Sequence, residues 1–152
     1  MGVTLDAVIT PVGGGGICAA TCLAAHALQP GLRVFGSEPV EADDAAQSLS
    51  TGRYRAQTAF PDSICDGLLG TVGQLPWKVM QHHLESIVTV DDNEVKDAMR
   101  LLYERCKIVA EPSSSAALAS VLSKHFPLPK GAKVGVIITG GNVNLEKLPF
   151  RD

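Results

Sequence analysis

Short apolar runs alternate with stretches of helical periodicity along most of this chain. Four apolar runs predict buried strands at residues 6–12, 33–37, 87–90 and 133–139. The spacing of apolar and small residues predicts about six helices, of which the clearest span residues 17–28, 42–49, 74–84, 91–106 and 113–124. The early strand–helix–strand order predicts a parallel strand pair with a right-handed crossover. We therefore expect one α/β domain over residues 1–152, with three αβα layers around a mainly parallel sheet.

Polar and turn-forming residues support these boundaries. Asp91, followed three residues later by Glu94, is typical of a capping box at the start of a helix. Pro112 suits the first turn of the last helix. Residues 51–70 are polar and interrupted by glycine and proline, which predicts a long excursion on the surface.

Four consecutive glycines join the first strand to the first helix: Gly13, Gly14, Gly15 and Gly16. Such a loop can turn several backbone N–H groups toward one ligand, and the helix N-terminus behind it carries a partial positive charge. The pattern differs from a dinucleotide-binding G-x-G-x-x-G motif, because Cys18 stands where the last glycine belongs. No Lys-Ser/Thr pair follows, which excludes a Walker loop. We predict a phosphate-binding loop, with a flexible linker or a tight strand-to-helix turn as the alternatives.

Two further groups of polar residues follow predicted strands. Thr139 opens a second glycine turn at 139–142, where it is either a ligand hydroxyl or part of a plain turn. Glu38, Ala42 and Asp44 lie just after the second strand. Two carboxylates and a backbone carbonyl suit a hard cation such as Mg²⁺ or Ca²⁺. The alternative is a solvated acidic loop without a ligand.

Composition narrows the expected partners. The net charge of -3 over 152 residues, without blocks of like charge, argues against nucleic acid or an anionic membrane surface as the main partner. No apolar run in the sequence approaches the ~20 residues that a membrane-spanning helix needs. Cys18, Cys22 and His26 share one helix face, which we interpret as packing rather than as a metal site. Because the four cysteines form no C-x-x-C pair, we expect a reducing, cytoplasmic compartment.

Four motifs, in sequence order, carry a family resemblance. They are PVGGGG at 11–16, SEPVEADD at 37–44, CKIVAEPSSSAALA at 106–119 and ITGGNVN at 138–144. Together they resemble the fold type II pyridoxal-phosphate enzymes, and among these the serine racemases and the serine/threonine dehydratases. The resemblance runs over almost the whole chain. It implies that this domain is part of the large domain of such an enzyme.

The resemblance implies a role for each residue of the predicted cofactor site. The glycines at 13–16 would bind the phosphate of pyridoxal 5′-phosphate through their backbone N–H groups. Thr139 would stand beside the pyridine nitrogen, and Glu111 would sit near the ring. A neutral hydroxyl cannot stabilise a pyridinium as a carboxylate does, so the cofactor would be a weaker electron sink. This favours β-elimination of water from serine or threonine, with racemisation as the other reaction.

The same resemblance implies further ligands and partners. Glu38, the Ala42 carbonyl and Asp44 would bind a divalent cation (Mg²⁺, Mn²⁺ or Ca²⁺), as in members similar to serine racemase. Lys107 and Asn142 match positions linked to nucleotide binding at the subunit interface of animal serine racemase, which makes ATP a candidate effector. The substrate would be an amino acid such as serine or threonine, and the complete enzyme a homodimer.

The chain departs from the family at one point. The family's Schiff-base lysine lies in a Ser-x-Lys segment before the glycine loop, and no lysine here falls at a matching position: Lys78, Lys96, Lys107, Lys124, Lys130, Lys133 and Lys147. We therefore expect an incomplete domain without a catalytic residue, inactive by itself, whose lysine segment and small domain would lie upstream. The alternative is a non-catalytic phosphate- or cation-binding fragment or an interaction subunit. Serine against threonine, and racemisation against elimination, stay open at this point.

Overall fold

The computed structural model describes residues 2–150 and contains one parallel sheet. Its strands are β1 (Ala7–Pro11), β2 (Arg33–Pro39), β3 (Ser86–Val90) and β4 (Val134–Val136), in the spatial order β3-β2-β1-β4. All neighbouring strands run parallel. The α-helices are α1 (Gly16–Leu28), α2 (Asp44–Thr51), α3 (Gln74–His83), α4 (Asp92–Leu101) and α5 (Pro112–Leu122). None of the helices in this described range is long and apolar enough to cross a membrane.

The sheet separates two helical layers, because successive residues of a strand point to opposite faces. Val34 of β2 packs in one cluster with Cys18 and Cys22 of α1. Phe35, the next residue, packs with Ala117 of α5 on the other face. On that second face α4 lies along α5, and their apolar sides share a further cluster. The predicted α/β class, with three layers and a parallel sheet, is confirmed.

The helix face of α1 that carries Cys18 and Cys22 is part of the hydrophobic core. Cys18 and Cys22 are fully buried, as the packing interpretation predicted. His26 Nδ1 lies 2.8 Å from the carbonyl oxygen of Cys22, so its ring is engaged with its own helix. Between residues 2 and 150, no three or more His, Cys, Asp or Glu side chains are grouped to hold a metal ion.

The helix starts predicted from capping residues are confirmed, but one helix ends differently. Asp91 and Glu94 form a capping box at the start of α4. This helix was predicted to run to about residue 106; its α-helical part ends at Leu101, and residues 102–106 continue it as a π-helix. The π-helix closes where the N–H of Ile108 donates to the carbonyl of Leu102 at 3.0 Å.

The last strand is shorter than the apolar run at 133–139 predicts. After β4, the N–H of Ile137 still donates to the carbonyl of Ile9 at 3.0 Å, so the chain leaves the sheet gradually. The following residues turn toward the start of α5, where the N–H of Glu111 donates to the carbonyl of Gly140 at 3.2 Å. Thr139 therefore lies beyond the strand, in a segment held by a helix distant in sequence.

The excursion predicted at 51–70 connects α2 to α3 and is only partly on the surface. Cys65, Leu68 and Val72 in and beside it are buried. Leu68 packs in the cluster between α4 and α5, and Val72 packs in the cluster under α1. A polar, glycine-rich composition indicated a solvent-exposed loop, whereas its second half fills a gap between the two helical layers.

Candidate functional site

The glycine loop forms one side of a small pocket at the carboxyl end of the sheet. Gly15 has φ +82°, a left-handed conformation that favours glycine, and it precedes the first residue of α1. Gly14 and Gly16 are exposed, and a Cβ on either would meet no atom within 4 Å. The pocket has a volume of about 220 Å³ and is lined by Pro11, Gly13, Gly14, Gly15, Gly16, Ile17, Gly67, Leu68, Glu111, Ser113 and Thr139. Bare backbone at a helix N-terminus is an arrangement that binds phosphate.

A second wall of the pocket comes from the connection between α2 and α3. Gly67 and Leu68 line it. The two loops are in close contact, because a Cβ on Gly13 would lie 2.7 Å from the carbonyl oxygen of Gly67. The N–H of Gly73 also donates to the carbonyl of Gly14 at 3.0 Å. Gly67 and Leu68 were not predicted from the sequence, because no local pattern tells which distant loop a polar connection will touch.

The turn at 139–142 closes the pocket from the side of α5. The N–H of Asn142 donates to Glu111 Oε2 at 2.8 Å, and a Cβ on Gly140 would lie 2.7 Å from Glu111 Oε1. Glu111 and Thr139 both line the pocket. The residues that the family resemblance assigns to the cofactor are therefore brought together around one cavity.

Two buried serines at the start of α5 also belong to this region and were not predicted. Ser113 lines the pocket, where its Oγ accepts the N–H of Gly67 at 2.9 Å and donates to Asp66 Oδ1 at 3.2 Å. Ser114 Oγ lies 3.2 Å from Thr139 Oγ1. Their position in the first helical turn at the carboxyl edge of a parallel sheet is the signal that identifies such residues.

Glu38 is a buried carboxyl near the end of β2, which runs two residues further than predicted. Only 1% of its surface is exposed. Burial raises the pKa of Glu38 to about 8; the N–H groups of Ala46 and Ala45, which donate at 2.8 and 3.2 Å, oppose this rise, and the nearby Asp44 adds to it. The charged form of Glu38 is therefore costly unless a positive group stands beside it.

Asp44 lies at the start of α2 and is also buried. Its two carboxylate oxygens accept hydrogen bonds from Gln57 Nε2 and from the N–H of Val72, each at 2.9 Å. Ala42 is buried in the short 3₁₀ turn that separates Asp44 from Glu38. Asp44 borders a cleft of about 770 Å³, lined also by Glu41, Asp43, Gln47, Arg55, Ala56, Gln57, Thr58, Ala59, Phe60, Pro61 and Asp62. Of the three predicted cation ligands, Asp44 borders this acidic cleft, whereas Glu38 and Ala42 are buried and are not among the residues that line it.

The two residues matched to nucleotide binding lie outside the glycine pocket. Lys107 is exposed, follows the π-helix with φ 59°, and donates from Nζ to the carbonyl of Glu104 at 2.8 Å. Asn142 is exposed too, and its backbone is tied to Glu111. Neither Lys107 nor Asn142 is among the residues that line the pocket.

Solved structures and curated proteins share this architecture. Serine racemase from Dictyostelium discoideum is 45% identical over 146 residues, which are 95% of this chain and 45% of that protein. Its crystal structure has a TM-score of 0.86 and covers 93% of this chain and 45% of that chain. The structure of maize serine racemase, at 37% identity, has a TM-score of 0.89 and covers 95% of this chain and 45% of that chain.

A dehydratase shows the same extent of similarity, and a family model covers nearly all of the chain. The β-hydroxyaspartate dehydratase of Paracoccus denitrificans is 45% identical over 146 residues, 96% of this chain and 46% of that protein. The chain spans about half the length of the curated relatives it matches. Residues 1–140 match the model of the family described as pyridoxal-phosphate dependent enzyme. This chain therefore belongs to the pyridoxal-phosphate dependent enzyme family.

Proposed function

We propose that this chain supplies the phosphate-binding and ring-binding side of an enzyme that eliminates water from, or racemises, β-hydroxy amino acids such as serine and threonine. The observation that carries the proposal is the single pocket shared by the four-glycine loop, Glu111 and Thr139. The names of similar proteins support the substrate class, because serine and β-hydroxyaspartate both carry a hydroxyl on the β-carbon.

The residues present fit the phosphate of pyridoxal 5′-phosphate. Gly14 and Gly16 leave open space where any other residue would place a Cβ, and α1 begins directly behind them. In the proposed complex, the backbone N–H groups of residues 13–16 hold the phosphate dianion, with the helix N-terminus adding a favourable field. Thr139 and Glu111, which line the same pocket, would stand beside the pyridine nitrogen and near the ring.

The bound cofactor supplies an electron sink for the electrons released when the α-hydrogen of an amino acid leaves. Thr139 offers a neutral hydroxyl to the ring, so it favours the charged pyridinium much less than a carboxylate would. A cofactor ring that withdraws electrons only moderately suits a reaction in which the β-hydroxyl departs together with, or soon after, the α-proton. Elimination is therefore favoured over reactions that need a long-lived carbanion.

The lysine that holds the cofactor's aldehyde is proposed to come from a part of the enzyme other than the lining of this pocket. Among residues 2–150, those that line the pocket include no lysine. In this proposal, the chain binds the phosphate and the ring nitrogen of the cofactor. The lysine and the loop that binds the substrate carboxylate belong to the other half of the enzyme.

Binding of pyridoxamine 5′-phosphate tests the phosphate site, because this compound has no aldehyde and needs no lysine. We expect the chain to bind it about 100-fold more tightly than pyridoxamine, measured by calorimetry, since charge-assisted hydrogen bonds hold the phosphate. Gly14→Asp should remove about 100-fold of that affinity, because it puts a carboxylate into the open cradle. Gly14→Asn, of equal size and without charge, is the control. Equal affinity for the two compounds would contradict the proposal.

Activity is tested by restoring the other half. The part of Dictyostelium discoideum serine racemase that this chain does not match is co-expressed with this chain, and 2-oxo acid and D-serine are measured from L-serine, with L-threonine in parallel. We expect 2-oxo acid only from the combination. A chain that binds the phosphate compound but gives no active combination would support the binding-only alternative.

A divalent cation is proposed at Glu38, the Ala42 carbonyl and Asp44. The donor set fits a hard cation, since two carboxylates and a carbonyl are oxygen ligands and water from the adjacent cleft can complete the shell. Saturating Mg²⁺, Mn²⁺ or Ca²⁺, at about 100 times Kd, should stabilise the chain by about 2.7 kcal/mol in urea unfolding. Asp44→Asn should abolish this increment, while Asp43→Asn should keep it. An increment of the same size in both variants would place the cation elsewhere.

A further inference from the structure

The Ser114 hydroxyl makes three contacts with the turn that carries Thr139. Its Oγ lies 2.7 Å from the backbone nitrogen of Gly140, 2.7 Å from the carbonyl oxygen of Gly140 and 3.2 Å from Thr139 Oγ1. Ser114 is fully buried, so these three groups are its hydrogen-bonding surroundings. Gly140 and Thr139 supply these groups, and of the two Thr139 also lines the pocket beside the glycine loop.

The donor and acceptor capacities of these groups, together with the distances, indicate the direction of the hydrogen bonds. The N–H of Gly140 can only donate and the carbonyl of Gly140 can only accept. Ser114 therefore accepts a hydrogen bond from the N–H of Gly140. It donates its single proton to the carbonyl of Gly140 at 2.7 Å, because this acceptor is closer than Thr139 Oγ1 at 3.2 Å. One lone pair of Ser114 Oγ remains, and the proton available for the contact with Thr139 is that of Thr139 itself.

We infer that Ser114 is a positioning residue that accepts a hydrogen bond from the hydroxyl of Thr139, so that Thr139 presents its lone pairs to the pocket. This inference rests on the proposed function for its consequence. A ring nitrogen opposite Thr139 meets an acceptor, which favours the protonated ring over the neutral one. Ser114 thereby offsets part of the difference between a hydroxyl and a carboxylate at this position.

The first test needs no cofactor. In the free chain, three-bond NMR couplings to Thr139 Cγ2 should indicate one χ1 rotamer, because the hydroxyl is tied to Ser114. Ser114→Ala should give couplings averaged over rotamers. Ser114→Cys, which keeps a side chain of similar size but accepts weakly, should average them in the same direction. Ser115→Ala is the matched control, since Ser115 is equally buried and donates to the carbonyl of Glu111 instead.

The second test reads the ring nitrogen directly. Pyridoxamine 5′-phosphate with a ¹⁵N-labelled ring is bound to the chain and titrated by NMR. Ser114→Ala should lower the pKa of the ring nitrogen by about 0.5–1 unit, the contribution of one ordinary hydrogen bond, and Ser115→Ala should leave it unchanged. In a Thr139→Val background, Ser114→Ala should cause no further shift, since the two hydroxyls act as one unit.

The outcomes separate this inference from the proposed function. A chain that does not bind pyridoxamine 5′-phosphate overturns the proposed phosphate site, and the Thr139 couplings then decide the role of Ser114. A chain that binds the compound, with the same ring pKa and the same couplings in Ser114→Ala, overturns the inference and leaves the phosphate site standing. A pKa shift that persists in the Thr139→Val background also overturns it, because Ser114 would then act by another route.

Discussion

Gly15→Ala is expected to destabilise the chain by about 3 kcal/mol, whereas Gly14→Ala is expected to change its stability by less than about 0.5 kcal/mol. Gly15 has φ +82°, which an alanine adopts only with strain. A Cβ there would also lie 2.7 Å from Val72 Cγ2 and 2.9 Å from Pro76 Cβ, inside the packed core. Gly14 has no positive φ, and a Cβ added to it would meet no atom within 4 Å.

Urea unfolding of the two variants, followed by circular dichroism, provides the measurement. Gly14 and Gly15 are adjacent in the same loop, and both substitutions add one methyl group. A difference in stability between the two variants therefore reports the backbone conformation and the packing at Gly15. Affinity for pyridoxamine 5′-phosphate should fall for Gly15→Ala together with stability, because the loop can no longer hold its N–H groups in place. Equal stability of the two variants would show that the loop adopts another conformation in solution.

The part of the site that could be predicted from the sequence is the part set by local rules. Four glycines between a strand and a helix can be interpreted without knowledge of any distant contact, and the structure places them at the N-terminus of α1. The capping box at Asp91 and Glu94 is local in the same sense. The parallel pairing of β1 with β2 follows from the helical crossover between them, because parallel strands need a connection of about a dozen residues or more.

The remaining walls of the pocket depend on contacts between segments far apart in the chain. Gly67 approaches Gly13 and Ser113 only because the connection before α3 folds between two helical layers. Its composition resembles that of a surface loop, so hydrophobic patterning could not place it. Ser114 and Thr139 are 25 residues apart, and their contact requires the last strand to end early and turn onto α5. Short-range patterns carry no information on such an encounter.

The acidic segment at the end of β2 shows a third case, in which the residues were predicted but the burial of Glu38 was not. The spacing of Glu38, Ala42 and Asp44 indicated oxygen ligands, but not that Glu38 would be inside the sheet. Only the three-dimensional arrangement shows that its carboxyl is buried and that α2 begins with N–H groups aimed at it. Burial at this position makes the stability of the fold depend on the charge of Glu38.

In metal-free buffer, the stability of the chain is expected to fall as the pH rises from about 5 to about 8, and Glu38 is the cause. Its pKa is about 8 in the folded chain, against an ordinary value of 4.5 when unfolded. Between these values the folded chain binds more protons than the unfolded chain, so raising the pH favours unfolding. The contribution of one such group approaches about 1.4 kcal/mol per pH unit inside this window and levels off on either side.

Urea unfolding at about pH 5, 6, 7 and 8, at constant ionic strength and with EDTA, measures this dependence. Glu38→Gln should flatten the profile, because the glutamine does not titrate, while Glu41→Gln, on an exposed residue of the same segment, should leave the slope unchanged. Subtracting the Glu38→Gln curve removes the contributions of histidines and other groups common to both proteins. Parallel curves for wild type and Glu38→Gln would mean that Glu38 stays ionised throughout, held by the N–H groups of Ala45 and Ala46. A falling difference curve would instead show that burial outweighs those two hydrogen bonds.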